Sequence, residues 1–332
     1  MSRRAWLGLW IAAAALIVPA AHLALGRGVD WSELLAGTDT VSWRVLTELR
    51  LPRLVVALFA GTALGLAGLA LQSVLRNPLA APELTAVNPS AVLGYLIASG
   101  TGLIDGGSVF SSVLSATVGG LLGGGLLWLV ARRRTSEQTA VLGLLSALAL
   151  TGVVTILIAA RPTGVGGALR WLIGSVEARV AEHVPMIAIP VLAGFAALVL
   201  VADRLEILAV SDSHAHCLGV SPGFWRGVGI GIAVLLASAA VATVGPLAFV
   251  GFVAPHVVRL VFGGRLRRQV VLVAVCGGLF VAASDLIAKA VSLAIQLTGD
   301  GQQVGVPVGA VTCLIGAAAL VAVASSHQES EP

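Results

Sequence analysis

Very few side chains in this sequence are of the types that carry out catalysis or bind metal ions. The three cysteines (Cys217, Cys276 and Cys313) lie in or beside apolar runs without metal-ligand spacing, as small apolar residues do. His214 and His216 have no third ligand residue nearby, so no zinc site is predicted there. No nucleophile–base triad and no paired carboxylates at a membrane face stand out. We therefore predict no catalytic residue, no metal site and no cofactor.

Two charged residues near the end of the chain need separate consideration. Lys289 is the only lysine, and it lies outside any Gly-x-x-x-x-Gly-Lys-Ser/Thr sequence of the kind that holds nucleotide phosphates. We therefore do not expect the chain to hydrolyse ATP by P-loop chemistry. Asp285 lies in an apolar run, where an ionisable residue indicates function by default. Because Lys289 follows it by four residues, on the same helix face, we predict a structural ion pair rather than a proton relay.

The apolar composition of the chain indicates whether it folds in water or in a lipid bilayer. Hydrophobic residues make up 58% of the 332 residues and charged residues 11%, which is more apolar surface than a water-soluble protein of this length can bury. The basic residues fall in short clusters between apolar runs, which argues against nucleic-acid binding. Glycines four residues apart, such as Gly61 and Gly65, predict close helix packing. The composition therefore predicts a helical membrane protein.

Ten apolar segments approach the length of about 20 residues that crosses a bilayer. The eighth is short and contains His256 and Arg259, so it requires shielding by its neighbours. The first resembles a signal peptide, but its length and the many runs after it predict an uncleaved span. The segments lie near residues 5–25, 54–75, 87–104, 108–131, 139–160, 184–202, 227–246, 247–262, 269–288 and 306–325.

Charge between the segments predicts the topology. With ten spans and both termini in the cytoplasm, twelve of the 20 lysines and arginines lie inside, including the clusters at 132–134 and 265–268. This agrees with the positive-inside rule, whereas nine spans would put the two clusters on opposite faces. We predict an all-α polytopic membrane protein of about ten helices. It forms a single transmembrane domain over residues 1–332, with a cytoplasmic loop at 203–226.

Two ordered blocks carry the most specific sequence pattern. The first reads Arg-Leu-Pro-Arg at 50–53, continues through a glycine-rich run, and then reads Arg-Asn-Pro-Leu-Ala-Ala-Pro at 76–82. Proline suits a helix start, and Asn-Pro followed by a second proline indicates a loop between helices. The second block reads Gly-Pro-Leu-Ala-Phe-Val-Gly-Phe-Val-Ala-Pro-His-Val-Val-Arg at 245–259. Shorter blocks lie at 171–175, 215–220, 285–289 and 306–309.

These blocks, over residues 49 to 309, resemble the permease family that imports ferric siderophores, haem and cobalamin, part of the type II ATP-binding-cassette importers. Two departures are the absence of glutamate-leucine before Val306-Pro307 and the sequence Gly316-Ala317-Ala318 in place of Gly-Ala-Pro. The resemblance implies a multi-pass permease subunit in the cytoplasmic membrane of a bacterium. The positions that match family structural motifs are Gln72, Asn77, Pro78, Pro82, Gly245, Pro246, Pro255, His256, Arg259 and Asp285.

The resemblance also implies partners. The family works as two permease chains, identical or paralogous, with two cytoplasmic ATPase subunits that hydrolyse the ATP, an extracytoplasmic substrate-binding protein and the surrounding membrane lipid. The residues that would dock the binding protein are Arg50, Arg53 and Lys289, and the ten-span topology also puts them outside. The alternative for these residues is contact with lipid headgroups. The residues that would couple to the ATPase are Ala215, Leu218, Gly219 and Val220.

The sequence does not name the transported ligand. A ferric siderophore is expected because it is the commonest role in the family, with cobalamin or haem as alternatives. A secondary carrier driven by protons or sodium belongs to another class, and vanadate would not stop it. A polytopic membrane enzyme is a further class, and it would need the catalytic constellation that the sequence lacks.

Overall fold

The computed structural model describes residues 3–26, 28–30, 32, 40–104, 108–131, 136–160, 173–298 and 305–328. The ordered elements in these ranges are all helical. The predicted cluster at 132–134, Trp171 and Leu172, and the departure at 299–303 lie outside the described residues. The α-helices are α1 (Arg3–Ala24), α2 (Val41–Arg44), α3 (Leu51–Leu75), α4 (Val87–Gly100), α5 (Val109–Ala131), α6 (Ser136–Ala159), α7 (His183–Val210), α8 (Asp212–Cys217), α9 (Pro222–Val244), α10 (Val250–Val261), α11 (Leu266–Thr298) and α12 (Val308–Gln328).

Each of the ten predicted apolar segments coincides with one of these helices. Six helices within the described ranges are long and apolar enough to cross a membrane: Val41–Leu75, Val109–Val130, Val141–Ala159, His183–Val210, Pro222–Val244 and Leu266–Leu297. Three more are apolar but shorter: Gly8–Ala24, Val250–Val261 and Val308–Val321. The all-helical membrane fold is therefore confirmed, whereas the number of crossings stays a prediction. At 12 residues, α10 is about 18 Å long, too short to cross a hydrocarbon core of about 30 Å alone.

Helices α3 and α9 form the centre of the bundle. In their most apolar windows 78% and 83% of residues are buried, against 50% or less in the other four long helices. Helix α3 packs against α7, α9, α10 and α11, and the π-helix Val45–Arg50 that leads into it packs against α1 and α2. At Gly61 and Gly68 an added Cβ would overlap the backbone of α11 and α10. Both glycines are therefore needed for this close helix packing, which the spacing of Gly61 and Gly65 predicts at the first of them.

Two backbone reversals interrupt the bundle where the sequence predicts them. Helix α3 ends at Arg76, which is in the left-handed conformation at φ 49°. Asn77 then builds the turn, since its Oδ1 accepts from the Leu79 N–H at 2.9 Å and its carbonyl accepts from the Ala80 N–H at 3.0 Å. The second reversal separates α9 from α10, between Gly245 (φ 78°) and Phe249 (φ 65°). The first reversal places the charged side chain of Arg76 at the end of α3.

Candidate functional site

A buried carboxylate joins three helices at the start of α3. Arg53 on α3 binds the Asp285 carboxylate of α11 through both oxygens, with Nε 2.8 Å from Oδ2 and Nη2 2.7 Å from Oδ1. His22 of α1 lies with Nε2 2.7 Å from Asp285 Oδ2. Lys289 Nζ lies 3.3 Å from His22 Nδ1 and donates to the His22 carbonyl at 3.2 Å. We call these four residues the Asp285 cluster.

The hydrogen bonds of the Asp285 cluster are mutually consistent. A neutral His22 with its proton on Nε2 donates to the carboxylate and accepts from Lys289 at Nδ1. Two-point binding by a guanidinium is the strongest geometry available to a carboxylate. Asp285 is 1% exposed and His22 0%. The cluster therefore satisfies a carboxylate that would otherwise be costly to bury.

The predicted intrahelical pair of Asp285 with Lys289 is wrong. Arg53 takes the carboxylate instead, and its planar guanidinium directs two N–H groups at the two oxygens, a match that the lysine ammonium group lacks. Lys289 binds His22. Sequence analysis missed His22. The signal that identified Asp285, an ionisable residue within an apolar run, applies to His22 as well.

The three predicted docking residues occupy different environments. Arg53 and Lys289 line a cavity of about 230 Å³ together with Glu177 of the segment before α7 and Gln296 of α11. Arg50 is buried behind them, at 6% exposure. Its Nη1 donates to the carbonyls of Leu23 and Ala24 at 2.6 and 3.2 Å, at the end of α1. Two of the three cations therefore face a polar cavity, and the third holds the end of α1.

A second carboxylate joins helices beyond the other end of α3. Arg76 binds Asp212 of α8, and its Nε donates to the Leu208 carbonyl in the last turn of α7 at 3.0 Å. Arg226 of α9 donates through Nη2 to both Asp212 oxygens at 3.1 and 3.3 Å. We call Arg76, Asp212 and Arg226 the Asp212 cluster. Arg76 follows Arg53 by 23 residues, which is about 35 Å along a helix and close to a bilayer's hydrocarbon thickness.

The Asp212 cluster is partly in contact with solvent. The side chains of Asp212 and Arg76 are 47% and 29% exposed, and that of Arg226 is 10% exposed. Burial raises the pKa of Asp212, but the two guanidinium groups outweigh it and hold the pKa below its ordinary value. Asp212 is therefore ionised at neutral pH and paired with two cations.

The predicted coupling residues, which lie in α8 and directly after it, differ in burial. Ala215 and Val220 are buried, at 0% and 1% exposure, and the Val220 N–H donates to the Ala215 carbonyl at 2.8 Å. Leu218 is 53% exposed, and Gly219 at φ 71° has open space where a Cβ would lie. The first two fix the loop to the bundle, whereas the other two present a surface to solvent.

The remaining motif residues join α3 to α10. Gln72 Nε2 donates to the Gly251 carbonyl at 3.0 Å, and Arg259 donates to Gln72 Oε1. The His256 ring stacks on Phe252 with centroids 5.5 Å apart.

The proline and glycine motif positions are packed as well. Pro82 packs against Gly251. The Val244 carbonyl, just before Gly245 and Pro246, accepts from the Ser175 N–H at 2.7 Å. Pro255 is buried within α10. These positions are packed or hydrogen-bonded within the bundle.

Glu83 is a buried carboxylate that sequence analysis did not identify. It lies in the 3₁₀ turn Pro82–Leu84 and lines an apolar cavity of about 290 Å³ with Phe249 and Phe252. Neither oxygen makes a hydrogen bond of ordinary geometry with a described residue. Burial raises its pKa to about 7, although the backbone N–H groups of Glu83, Phe249 and Gly251 act in the opposite direction.

The family of the chain follows from its sequence as a whole. The model of the FecCD transport family matches residues 9–326. The chain belongs to this family. Similar relatives are the Fe(3+) dicitrate transport system permease protein FecD of Escherichia coli (strain K12), 37% identical over 297 residues, and the ferric enterobactin transport system permease protein FepG of the same strain, 34% identical over 285 residues. The matches cover 87% of this chain and 88% of FecD, and 83% of this chain and 81% of FepG.

A solved structure confirms the fold of this FecCD-family chain. It is an inward-facing conformation of a metal-chelate type ABC transporter, with a TM-score of 0.83 and 23% identity over 96% of this chain and 98% of that chain. The FecCD-family chain is a permease subunit of an ABC importer and a multi-pass protein of the cytoplasmic membrane, not itself an enzyme. Membership implies three kinds of partner, an ATPase, a substrate-binding protein and a second permease subunit.

Proposed function

We propose that this chain carries a ferric chelate of the siderophore class through the cytoplasmic membrane into the cell. It works beside a second permease chain, with two ATPase subunits and one binding protein. The observation that carries the proposal is the family match over residues 9–326, joined to relatives that carry ferric dicitrate and ferric enterobactin. The absence of a P-loop from these 332 residues supports ATP hydrolysis by a separate subunit.

We assign ten crossings and cytoplasmic termini to the chain. The coincidence of ten apolar segments with ten helices supports this topology, as does the excess of basic residues on one side. Helix α10 crosses only with the help of its neighbours. In this arrangement the Asp285 cluster lies near the outer face and the Asp212 cluster near the inner face.

The outer end of the bundle is the proposed landing surface for the binding protein. Arg53 and Lys289 line its polar cavity, and Arg50 lies directly behind, next to Gly26 on the cavity wall. Acidic groups of the binding protein would meet positive charge there. Such charge complementarity orients a partner and speeds its association more than it adds affinity.

The inner loop that contains α8 is the proposed contact for the ATPase. Leu218 extends into solvent as an apolar anchor, and Gly219 leaves space beside it. Ala215 and Val220 fix the same loop to the bundle. ATP binding would then move α8, and the movement would pass to the helices that enclose the ligand pathway.

The function is tested by uptake of radioactive iron into cells that express the chain with its ATPase and binding protein. We expect uptake of a ferric siderophore that stops on treatment with vanadate. Unlabelled cobalamin and haem serve as competitors for the alternative ligands. Iron uptake that continues under vanadate would contradict an ATP-driven importer and favour an ion-coupled carrier.

The topology is tested by labelling single cysteines introduced into a variant without Cys217, Cys276 and Cys313. A membrane-impermeant thiol reagent added outside intact cells should miss positions 133 and 267 and reach a position near 300. Labelling at 267 in intact cells would contradict ten spans with cytoplasmic termini.

A further inference from the structure

The short helix α8 is joined to the central helix of the bundle through one carboxylate. Asp212 stands in the first turn of α8, and both cations that bind it belong to other elements. Arg76 is the residue that ends α3, and Arg226 lies in the first turns of α9. A movement of α8 therefore changes the position of a charge that the two most enclosed helices share.

We propose that Asp212 is a positioning residue that transmits movement of α8 to α3 during transport. The inference rests on the proposed function, because it assumes that the ATPase moves α8. Arg76 is suited to this role by its backbone as well as its charge. Its left-handed conformation ends α3 and turns the chain toward the Asn77 loop. Its guanidinium then reaches both Asp212 and the last turn of α7 through the Leu208 carbonyl.

Among the described residues, the remaining contacts of α8 supply no comparable connection to α3. The Ser211 hydroxyl accepts from the His214 N–H at 3.0 Å, which caps α8 locally. Ala215 and Val220 pack against the bundle as small apolar groups. The polar contacts that join α8 to the end of α3 and to α9 are, among the described residues, those of Asp212.

Because the Asp212 cluster is partly exposed, a defect in transmission can be distinguished from a defect in folding. Asp212 and Arg76 are in contact with solvent, where ion pairs stabilise a fold weakly. The amide oxygen in Asp212→Asn can still accept from the more enclosed Arg226, so loss of the charge should leave the bundle intact. Helix α3 also stays joined to α10 through Gln72, which the change does not touch. A defect in Asp212→Asn would thus be a defect of coupling.

The test uses the complete importer reconstituted in lipid vesicles, with Asp212→Asn, Asp212→Glu and the matched control Asp203→Asn. Asp203 is an exposed carboxylate on α7 that makes no ion pair with a described residue. Two ratios are measured, iron taken up per ATP hydrolysed and the stimulation of hydrolysis by loaded binding protein. For Asp212→Asn we expect both ratios to fall by about tenfold, which corresponds to about 1.4 kcal/mol of coupling. Asp212→Glu should recover most of each ratio, and Asp203→Asn should match wild type.

Two results would overturn the inference. One is an Asp212→Asn importer with wild-type ratios. The other is parallel loss of uptake and of ATPase binding, measured by co-purification, because α8 would then need Asp212 only to keep its shape. Both results require a wild-type importer that transports. If wild type shows no ATP-dependent uptake, the proposed function itself fails, whatever the variants do.

Discussion

The Asp285 and Asp212 clusters lie at opposite ends of α3, and they differ most in exposure. Asp285 is 1% exposed and sits among partners from α1 and α3, whereas Asp212 is 47% exposed. A buried ion pair is costly to break because the remaining partner keeps an uncompensated charge. A pair in contact with water exchanges its partners at little cost. The first cluster therefore fixes α1, α3 and α11 together, and the second joins α8 to α3 and α9 through contacts that water can reach.

Glu83 provides a third case, a buried carboxylate without an ion pair among the described residues. Its burial raises its pKa to about 7, so the protonated form is stabilised. The fold thus neutralises three carboxylates in different ways. Buried partners neutralise Asp285, partly exposed cations neutralise Asp212, and a proton neutralises Glu83. Substitutions at the three sites should have different consequences.

The largest effect is expected from breaking the buried cluster. Asp285→Asn removes the buried member of an ion pair and leaves the partly buried Arg53 without a charged partner, and breaking a buried pair costs about 3–5 kcal/mol. We expect a clear fall in melting temperature and in the yield of monodisperse protein. Both are measured by size-exclusion chromatography of detergent-solubilised samples that have been heated to a series of temperatures. Asp203→Asn is the control for charge loss alone. An Asp285→Asn protein that melts with wild type would show that the cluster is not structural.

The next effect is expected at the exposed end of α8. Leu218→Asp puts a charge at the proposed anchor in the ATPase, where truncation of a central contact costs at least about 2 kcal/mol, or roughly 30-fold in affinity. The permease should stay folded, lose ATPase on co-purification and lose iron uptake. Val210→Asp, an exposed apolar residue at the end of α7, is the matched control. Normal uptake by Leu218→Asp would exclude α8 as the coupling element.

Glu83 should give the chain a pH-dependent stability of intermediate size. Because its pKa in the folded state lies above that of a free glutamate, the folded chain binds more protons, and stability falls as pH rises from about 4.5 to about 7. Each unit of difference is worth about 1.4 kcal/mol. Glu83→Gln should melt with wild type at pH 5 and above it at pH 8. Equal pH dependence of the two proteins would contradict a buried, proton-binding Glu83.

The smallest effect is expected at the cavity beside the Asp285 cluster. Lys289→Gln removes one docking charge, and a single exposed pair is worth about 0.2–1 kcal/mol, so the binding-protein Kd should rise by about 1.4- to 5-fold. The salt dependence of association should weaken as well. Reversal of Arg50 or Arg53 is a poorer test, because Arg50 is itself buried and Arg53 neutralises the buried Asp285 carboxylate. An unchanged Kd and salt dependence would favour lipid contact for Lys289.

Sequence patterns predicted the elements of this fold better than the contacts between them. The apolar runs located the ten helices, and the Asn77 turn and the Gly245 break follow from local chemistry that a short window contains. The pairing of His22 and Arg53 with Asp285 spans 263 and 232 residues of chain. No spacing rule reaches that far, so sequence patterns favour the nearer Lys289 as the partner of Asp285. Burial of Arg50 likewise depends on where α1 ends relative to α3.

The central claim is that this permease moves a ferric chelate only when its ATPase and binding protein act on it together. Iron accumulation in vesicles that hold the purified importer tests it most directly, with ATP inside and ferric chelate on its binding protein outside. We expect accumulation that stops when ATP, the binding protein or the permease chain is left out. Accumulation without ATP, or equal accumulation in vesicles that lack this chain, would contradict the claim.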